Sequence, residues 1–386
     1  SELRIQNGAK DPFGIKLWCL GNEMDGPWQI GSYQKDPRGY GVLAHEVSKA
    51  MKWIDPTIET IACASSSPFL NHYPDWDLQA IRECYEVVDY ISLHHYHSAP
   101  PGNIPALMAG SQAFEKYINT EIALCDYLKT SLRSDKTMML SLDEYACSYR
   151  PANGAHLGLG GRQPAMGFLG LDPERKYVRH DPDDWSTRRS FPKAGEMPRT
   201  LATASVALTM LRHADRIAIG CATSGLSLLC ATDREHVWKS AAYYPYTQLI
   251  NYAKGVSLAP VMECETFNVE GYAIDDMNQY GDFTGVPYVQ AAAALDEEAG
   301  SLSVFVVNAD WEESHAFTLD AAAFEGWKFV EHTALYSEDP EAYNDYEHPD
   351  TIVPVAVGDT ACTAGQVSAE LKPLSWNLFR FVKEDV

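Results

Sequence analysis

The chain has 386 residues, 46% of them hydrophobic and 11% aromatic, enough for a large core shared by about two or three domains. Its formal net charge of −23 argues against nucleic acid and anionic membrane surfaces as partners. No run of about 18 apolar residues is present, so no transmembrane helix is expected, and the opening Ser1-Glu2-Leu3-Arg4 is not a signal peptide.

The run from Ile15 to Leu20 reads as a buried strand. It stops at Gly21-Asn22-Glu23, followed by the turn residues Asp25-Gly26-Pro27. A carboxylate at the mouth of a buried strand is where barrel enzymes place catalytic groups; the same segment also fits an Asn-Glu pair capping a helix. A helix is expected over 40–53, a strand over 58–64, a helix over 78–86 and a strand over 87–94. A longer helix follows over 114–129, with Ile118, Ile122, Leu124, Cys125 and Leu128 roughly on one face. The next strand, from Met138 to Leu142, ends in Asp143-Glu144-Tyr145. Residues 150–198, rich in Gly, Pro, Arg and Asp, read as a long loop, of a length that is usually functional or mobile. Its Arg188-Arg189 pair reads as solvated rather than as an anion site. A helix over 200–213, a strand over 216–222 and a helix over 241–254 complete the alternation, which implies parallel strands joined by crossover helices. Beyond Val256, short runs over 302–307, 315–319, 328–335, 367–371 and 376–382, punctuated by turn residues, read as an antiparallel β-sandwich. The expected organisation is a catalytic β/α portion over 1–255 and a sandwich over 256–386.

Glu23 and Glu144 each follow a short apolar strand, far apart in the chain. Two carboxyls flanking one bond are what glycoside hydrolysis requires: one protonates the leaving oxygen, the other attacks the anomeric carbon or activates water. The alternative is two unrelated helix-capping acids. Trp28, Tyr96 and Trp238 are candidates to stack on sugar faces, or else to pack in the core or the cleft wall. In a strand, His94 and Tyr96 share one face and His95 and His97 the other. His94 is a candidate sugar hydrogen-bonding group. Two histidines on one face without a third ligand do not make a metal site, and no metal or cofactor is expected. The nine cysteines are scattered. Cys19, Cys63, Cys147, Cys221 and Cys230 lie in or beside apolar runs and no Cys-x-x-Cys pair occurs, so buried reduced thiols in a cytoplasmic protein are expected rather than a disulfide framework or a zinc site.

The stretches WCLGNEMDGPWQIG (18–31), AMKWIDPTIE (50–59), ACASSSP (62–68), DYISLHHY (89–96), SLDEY (141–145) and WKSAAYYPY (238–246) resemble glycoside hydrolase family 51, the family of α-L-arabinofuranosidases. The resemblance implies a (β/α)8 TIM barrel followed by a β-sandwich. It implies Glu23 as general acid/base and Glu144 as nucleophile of a retaining double displacement. Asn22 would bond the sugar 2-hydroxyl and Tyr96 would sit near the nucleophile. The Glu23 pKa is then expected to be raised, with the Glu144 carboxylate helping to hold its proton. Five strands precede the sandwich, so the resemblance implies a chain starting just before the family's fourth barrel strand. It would lack the first three strands and depend on that missing N-terminal segment for full activity. Two stretches depart from the family: Asp143-Glu144 is followed by Tyr145-Ala146-Cys147-Ser148-Tyr149, and Trp238-Lys239-Ser240 lacks a frequent sugar-contacting Gln. An arabinose-containing oligo- or polysaccharide is the expected partner, and a homo-oligomer, hexameric in the family, is expected. A β-xylosidase or endoglucanase of the same clan, or a non-catalytic carbohydrate-binding fragment, are the competing readings.

Overall fold

The computed structural model describes residues 2–150, 196–222, 228–231, 236–275, 278–324 and 326–383. Most of the loop expected over 150–198, with Arg188-Arg189, lies outside the described residues. The chain divides into two compact units, Ser1–His94 with Thr120–Leu142 and His95–Asn119 with Asp143–Val386.

Five strands lie in sequence order in one sheet: β1 (Leu17–Cys19), β2 (Glu59–Cys63), β3 (Tyr90–Ala99), β4 (Met139–Tyr149) and β5 (Ile217–Gly220). β1 pairs with β2, and β2 with β3, in parallel. Consecutive parallel strands with intervening helices make part of a β/α barrel. The helices are Pro37–Ile54, Asp75–Cys84, Gly110–Leu132, Met197–Arg212 and Tyr243–Tyr252, with shorter turns at Glu2–Gln6 and Ile104–Met108. Among the described residues no helix is long and apolar enough to cross a membrane.

In the first unit, Asp36 caps the helix Pro37–Ile54 by accepting from the Gly39 amide at 2.9 Å, with Pro37 at the first turn where its missing N–H costs nothing. Tyr40, Ala44 and Ser48 form its buried face. The Tyr40 hydroxyl donates to the Leu20 carbonyl (3.2 Å) and accepts from the Cys63 amide (2.7 Å), tying the ends of β1 and β2 together. Its ring stacks on Trp76 at 5.5 Å.

β1 departs from expectation. It has three residues, all exposed, not a buried run over 15–20. Among the described residues it is the end strand of its sheet and pairs with β2 on one side. β3 and β4 run further than expected, to Ala99 and Tyr149. His94, Tyr96 and Glu144 therefore sit within strands rather than at their tips. A short hairpin, Leu229–Ala231 with Val237–Lys239, was not anticipated either.

In the second unit a six-stranded antiparallel sheet faces a three-stranded one. Each strand expected from Leu302 onward is present, as Ser301–Asn308, His315–Asp320, Trp327–Leu335, Gln366–Leu371 and Ser375–Lys383. An additional strand, Val289–Asp296, pairs along its whole length with Ser301–Asn308. Val304, Val306, Phe379 and Phe381 of one sheet pack against Val367 and Leu371 of the other. Burial alternates along His315–Asp320, whereas Val289–Asp296, Ser301–Asn308 and Ser375–Lys383 are buried at nearly every position, so the larger sheet is covered on both faces.

Candidate active site

Glu23 lies on the loop that follows β1, at a positive φ of 46°, a conformation a side-chain-bearing residue adopts only when its surroundings impose it. The loop folds back on itself: the Gly26 amide donates to the Glu23 carbonyl (2.8 Å) and the Tyr33 amide to the Met24 carbonyl (2.8 Å). Glycine at position 26 lets the Trp28 ring lie close, since a Cβ there would collide with it. That close approach lets Trp28 Nε1 donate to Glu23 Oε2. Gln29 Nε2 donates to the same oxygen at 3.1 Å, and His94 Nδ1 lies 2.9 Å from Oε1.

These donors overturn the expected pKa direction. Burial raises the Glu23 carboxyl. The hydrogen bonds from His94 and Trp28, the charge of His94 and the bond from Gln29 outweigh it and hold the group below the ordinary glutamate range. Hydrogen bonds to the charged form favour that form.

In the second unit the Tyr96 hydroxyl donates to Glu144 Oε2 at 2.6 Å, a charge-assisted bond of the strong class. Tyr96 is held through its strand neighbours. The Ser98 amide donates to the Tyr280 hydroxyl (3.0 Å), and Tyr272 donates to the Ser98 carbonyl (3.1 Å). His95 and His97, on the opposite face, are fully buried. Their Nε2 atoms lie 3.2 and 2.8 Å from the carbonyls of Gly110 and Ala106. Burial, joined at His95 by the charge of His97, pushes them down to about 3 and about 4, so both are neutral core residues.

The other candidates fare differently. Asn22 is exposed. Trp238 is buried against Cys230 in the short hairpin. Of the cysteines expected to be buried, Cys19 and Cys221 are exposed, whereas Cys63, Cys147 and Cys230 are buried. Gln29 was missed by sequence reasoning, although it lies inside the longest motif. Asp25 was read only as turn chemistry. It is fully buried, and its Oδ2 takes bonds from Ser66 and His72.

Comparison with known proteins decides the family. A model of the α-L-arabinofuranosidase C-terminal domain matches residues 143–375, and one of the α-L-arabinofuranosidase 1 domain matches 1–119. The intracellular exo-α-(1→5)-L-arabinofuranosidase 1 of Bacillus subtilis (strain 168) is 34% identical over 388 residues, covering all of this chain and 70% of the relative. The chain belongs to the α-L-arabinofuranosidases of glycoside hydrolase family 51. A second relative, the intracellular exo-α-(1→5)-L-arabinofuranosidase of Halalkalibacterium halodurans, is 35% identical over 387 residues, again covering the whole chain and 70% of the relative. A solved family 51 α-L-arabinofuranosidase from Bifidobacterium longum matches with a TM-score of 0.80 at 24% identity, over 99% of this chain and 70% of that one. This family 51 member is thus a glycosidase, and its β/α barrel portion and β-sandwich are the family architecture.

Proposed function

We propose that Glu144 is the nucleophile and Glu23 the general acid/base of a retaining double displacement that removes terminal α-L-arabinofuranosyl residues from arabinose-containing oligosaccharides or polysaccharides. The observation that carries this reading is that each glutamate has its own hydrogen-bonding partner within its unit. His94 holds Glu23 and Tyr96 holds Glu144.

In the first step a Glu144 carboxylate oxygen forms a bond to the anomeric carbon. The bond from that carbon to the leaving oxygen breaks, and the leaving oxygen takes a proton from Glu23. In the second step a water gives a proton to Glu23 while its oxygen bonds to the anomeric carbon and the ester to Glu144 breaks. Retention follows from two inversions, and such carboxyl pairs stand about 5–5.5 Å apart. The donors around Glu23 make its ionised form the resting form, which suits the base of the second step. The acid of the first step is then the minor form at neutral pH, and its population limits capture of substrate.

The two bacterial relatives, both exo-α-(1→5)-L-arabinofuranosidases, favour exo action on α-(1→5) linkages. Asn22, Trp28 and Trp238 are the remaining proposed sugar contacts. Nine scattered cysteines with no Cys-x-x-Cys pair suit a reducing cytoplasm, and a homo-oligomer is proposed, with light scattering on the purified chain as its test. The activity is tested by nitrophenol release from an aryl α-L-arabinofuranoside, with NMR of the first-formed anomer. We expect retained configuration and loss of turnover in Glu144→Ala. Turnover undiminished in that variant would remove Glu144 from the mechanism.

A further inference from the structure

We propose that Asp25 is a positioning residue for the acid/base glutamate, fastening the Glu23 loop to the segment after β2 through Ser66 and His72. The proposal rests on the reading of Glu23 given above. β1 ends at Cys19, so nothing regular carries the chain to Glu23. The loop closes on itself through backbone bonds, which set its shape but not its place. Asp25 supplies that anchor two residues beyond Glu23. Three donors converge on its Oδ2: the Ser66 amide at 3.0 Å, the Ser66 hydroxyl at 3.2 Å and His72 Nε2 at 3.1 Å.

Burial makes the anchor stiff. Asp25 is fully buried, and its Oδ1 meets no hydrogen-bond partner among the described residues. A buried carboxyl with one oxygen unpaired is costly for stability and persists where it sets a geometry. The adjacent Ser65 is committed elsewhere, its hydroxyl donating to the buried Asp77 at 2.9 Å. Asp77 is held well above the usual carboxylate range, first by burial and then by Glu121 and Asp25. Ser66 and His72 are therefore the contacts through which Asp25 can hold the loop in place. A displacement of about 1 Å at a catalytic group costs roughly 10²-fold in rate, so loss of the anchor should register as loss of proton transfer.

The test compares Asp25→Ala, Asp25→Asn, His72→Ala and Glu23→Ala on two aryl α-L-arabinofuranosides, one with a poor phenol leaving group and one with dinitrophenol. Thermal unfolding is followed in parallel. A displaced acid hurts the poor leaving group selectively, because dinitrophenolate departs without protonation. We expect Asp25→Ala to lose about 10²-fold in kcat/KM on the poor leaving group and less than about tenfold on dinitrophenol. Asp25→Asn, which keeps an acceptor oxygen, should recover most of the loss. His72→Ala, which leaves the Ser66 bonds in place, should show the same selectivity at smaller size and serves if Asp25→Ala does not fold. Equal losses on both substrates in Asp25→Ala or His72→Ala, or no loss at all, would overturn the proposal. Selectivity present in Glu23→Ala but absent from the anchor variants defeats this inference alone. Absence of selectivity in Glu23→Ala itself defeats the acid/base reading on which it rests.

Discussion

Nδ1 of His94 lies 2.9 Å from Oε1 of Glu23, and this contact, with Trp28 and Gln29 on the other oxygen, sets the charge state of the proposed acid/base. A group that must give up a proton is surrounded by donors that favour its having none.

The pH profile should show this. Activity that needs protonated Glu23 falls as pH rises through its pKa, and that pKa is lowered. Trp28→Phe removes one donor from the carboxylate, which raises the pKa. The alkaline limb of kcat/KM should then move to higher pH, by on the order of one unit. A limb that stays in place would show that another group governs it.

Tyr96 contributes one short bond to Glu144. Hydrogen bonds to charged groups contribute about 1.5–3 kcal/mol, so Tyr96→Phe should lower kcat by roughly 10- to 10²-fold. The melting temperature should change little, since the phenyl ring keeps its packing. A fall in kcat accompanied by an equal loss of folded protein would place the effect in stability instead.

Asp77 and Glu121 form a fully buried acid pair in the first unit. Burial pushes Glu121 up to about 7, against the opposing influence of its neighbours Asp77 and Tyr73. A carboxyl raised in the folded state adds stability that is complete below its unfolded value of 4.5 and disappears as pH rises through about 7. Glu121→Gln keeps the shape without the titration. Its melting temperature should therefore fall less than that of the unaltered chain between pH 5 and pH 8, and parallel curves would refute the assignment. Thermal melts across pH read this directly.

Phe379 holds the sandwich together. It is fully buried, with its ring 5.3 Å from that of Phe317 and 4.0 Å from that of His332. Phe379→Ala should cost about 3–5 kcal/mol, read by denaturant unfolding. A loss below about 1 kcal/mol would mean that the core refills.

Much of the fold was legible because its signals are local. Apolar runs of strand length alternating with helical stretches located all five strands of the parallel sheet, and turn punctuation located the sandwich strands. Val289–Asp296 escaped because Ala291 to Ala294 lack the β-branched and aromatic residues that mark strands. These alanines are buried between neighbouring strands, where small size is what fits. β1 was misjudged for the opposite reason: apolar composition suggested burial, and only the sheet order shows that it is an end strand.

The chain's own residue order determined the two glutamates, the motifs around them and the succession of elements, because each depends on neighbours a few positions away. Tertiary structure decided the rest. It brought His94 to Glu23 and Tyr96 to Glu144, buried Asp25 against Ser66 and His72, and aimed Trp28 and Gln29 at one carboxylate oxygen. The direction of the Glu23 pKa depended on these contacts, that of His94 first and then those of Trp28 and Gln29. Burial and hydrogen bonding act on it with opposite sign, and their balance is set by distances of a few ångströms between residues that periodicity cannot relate.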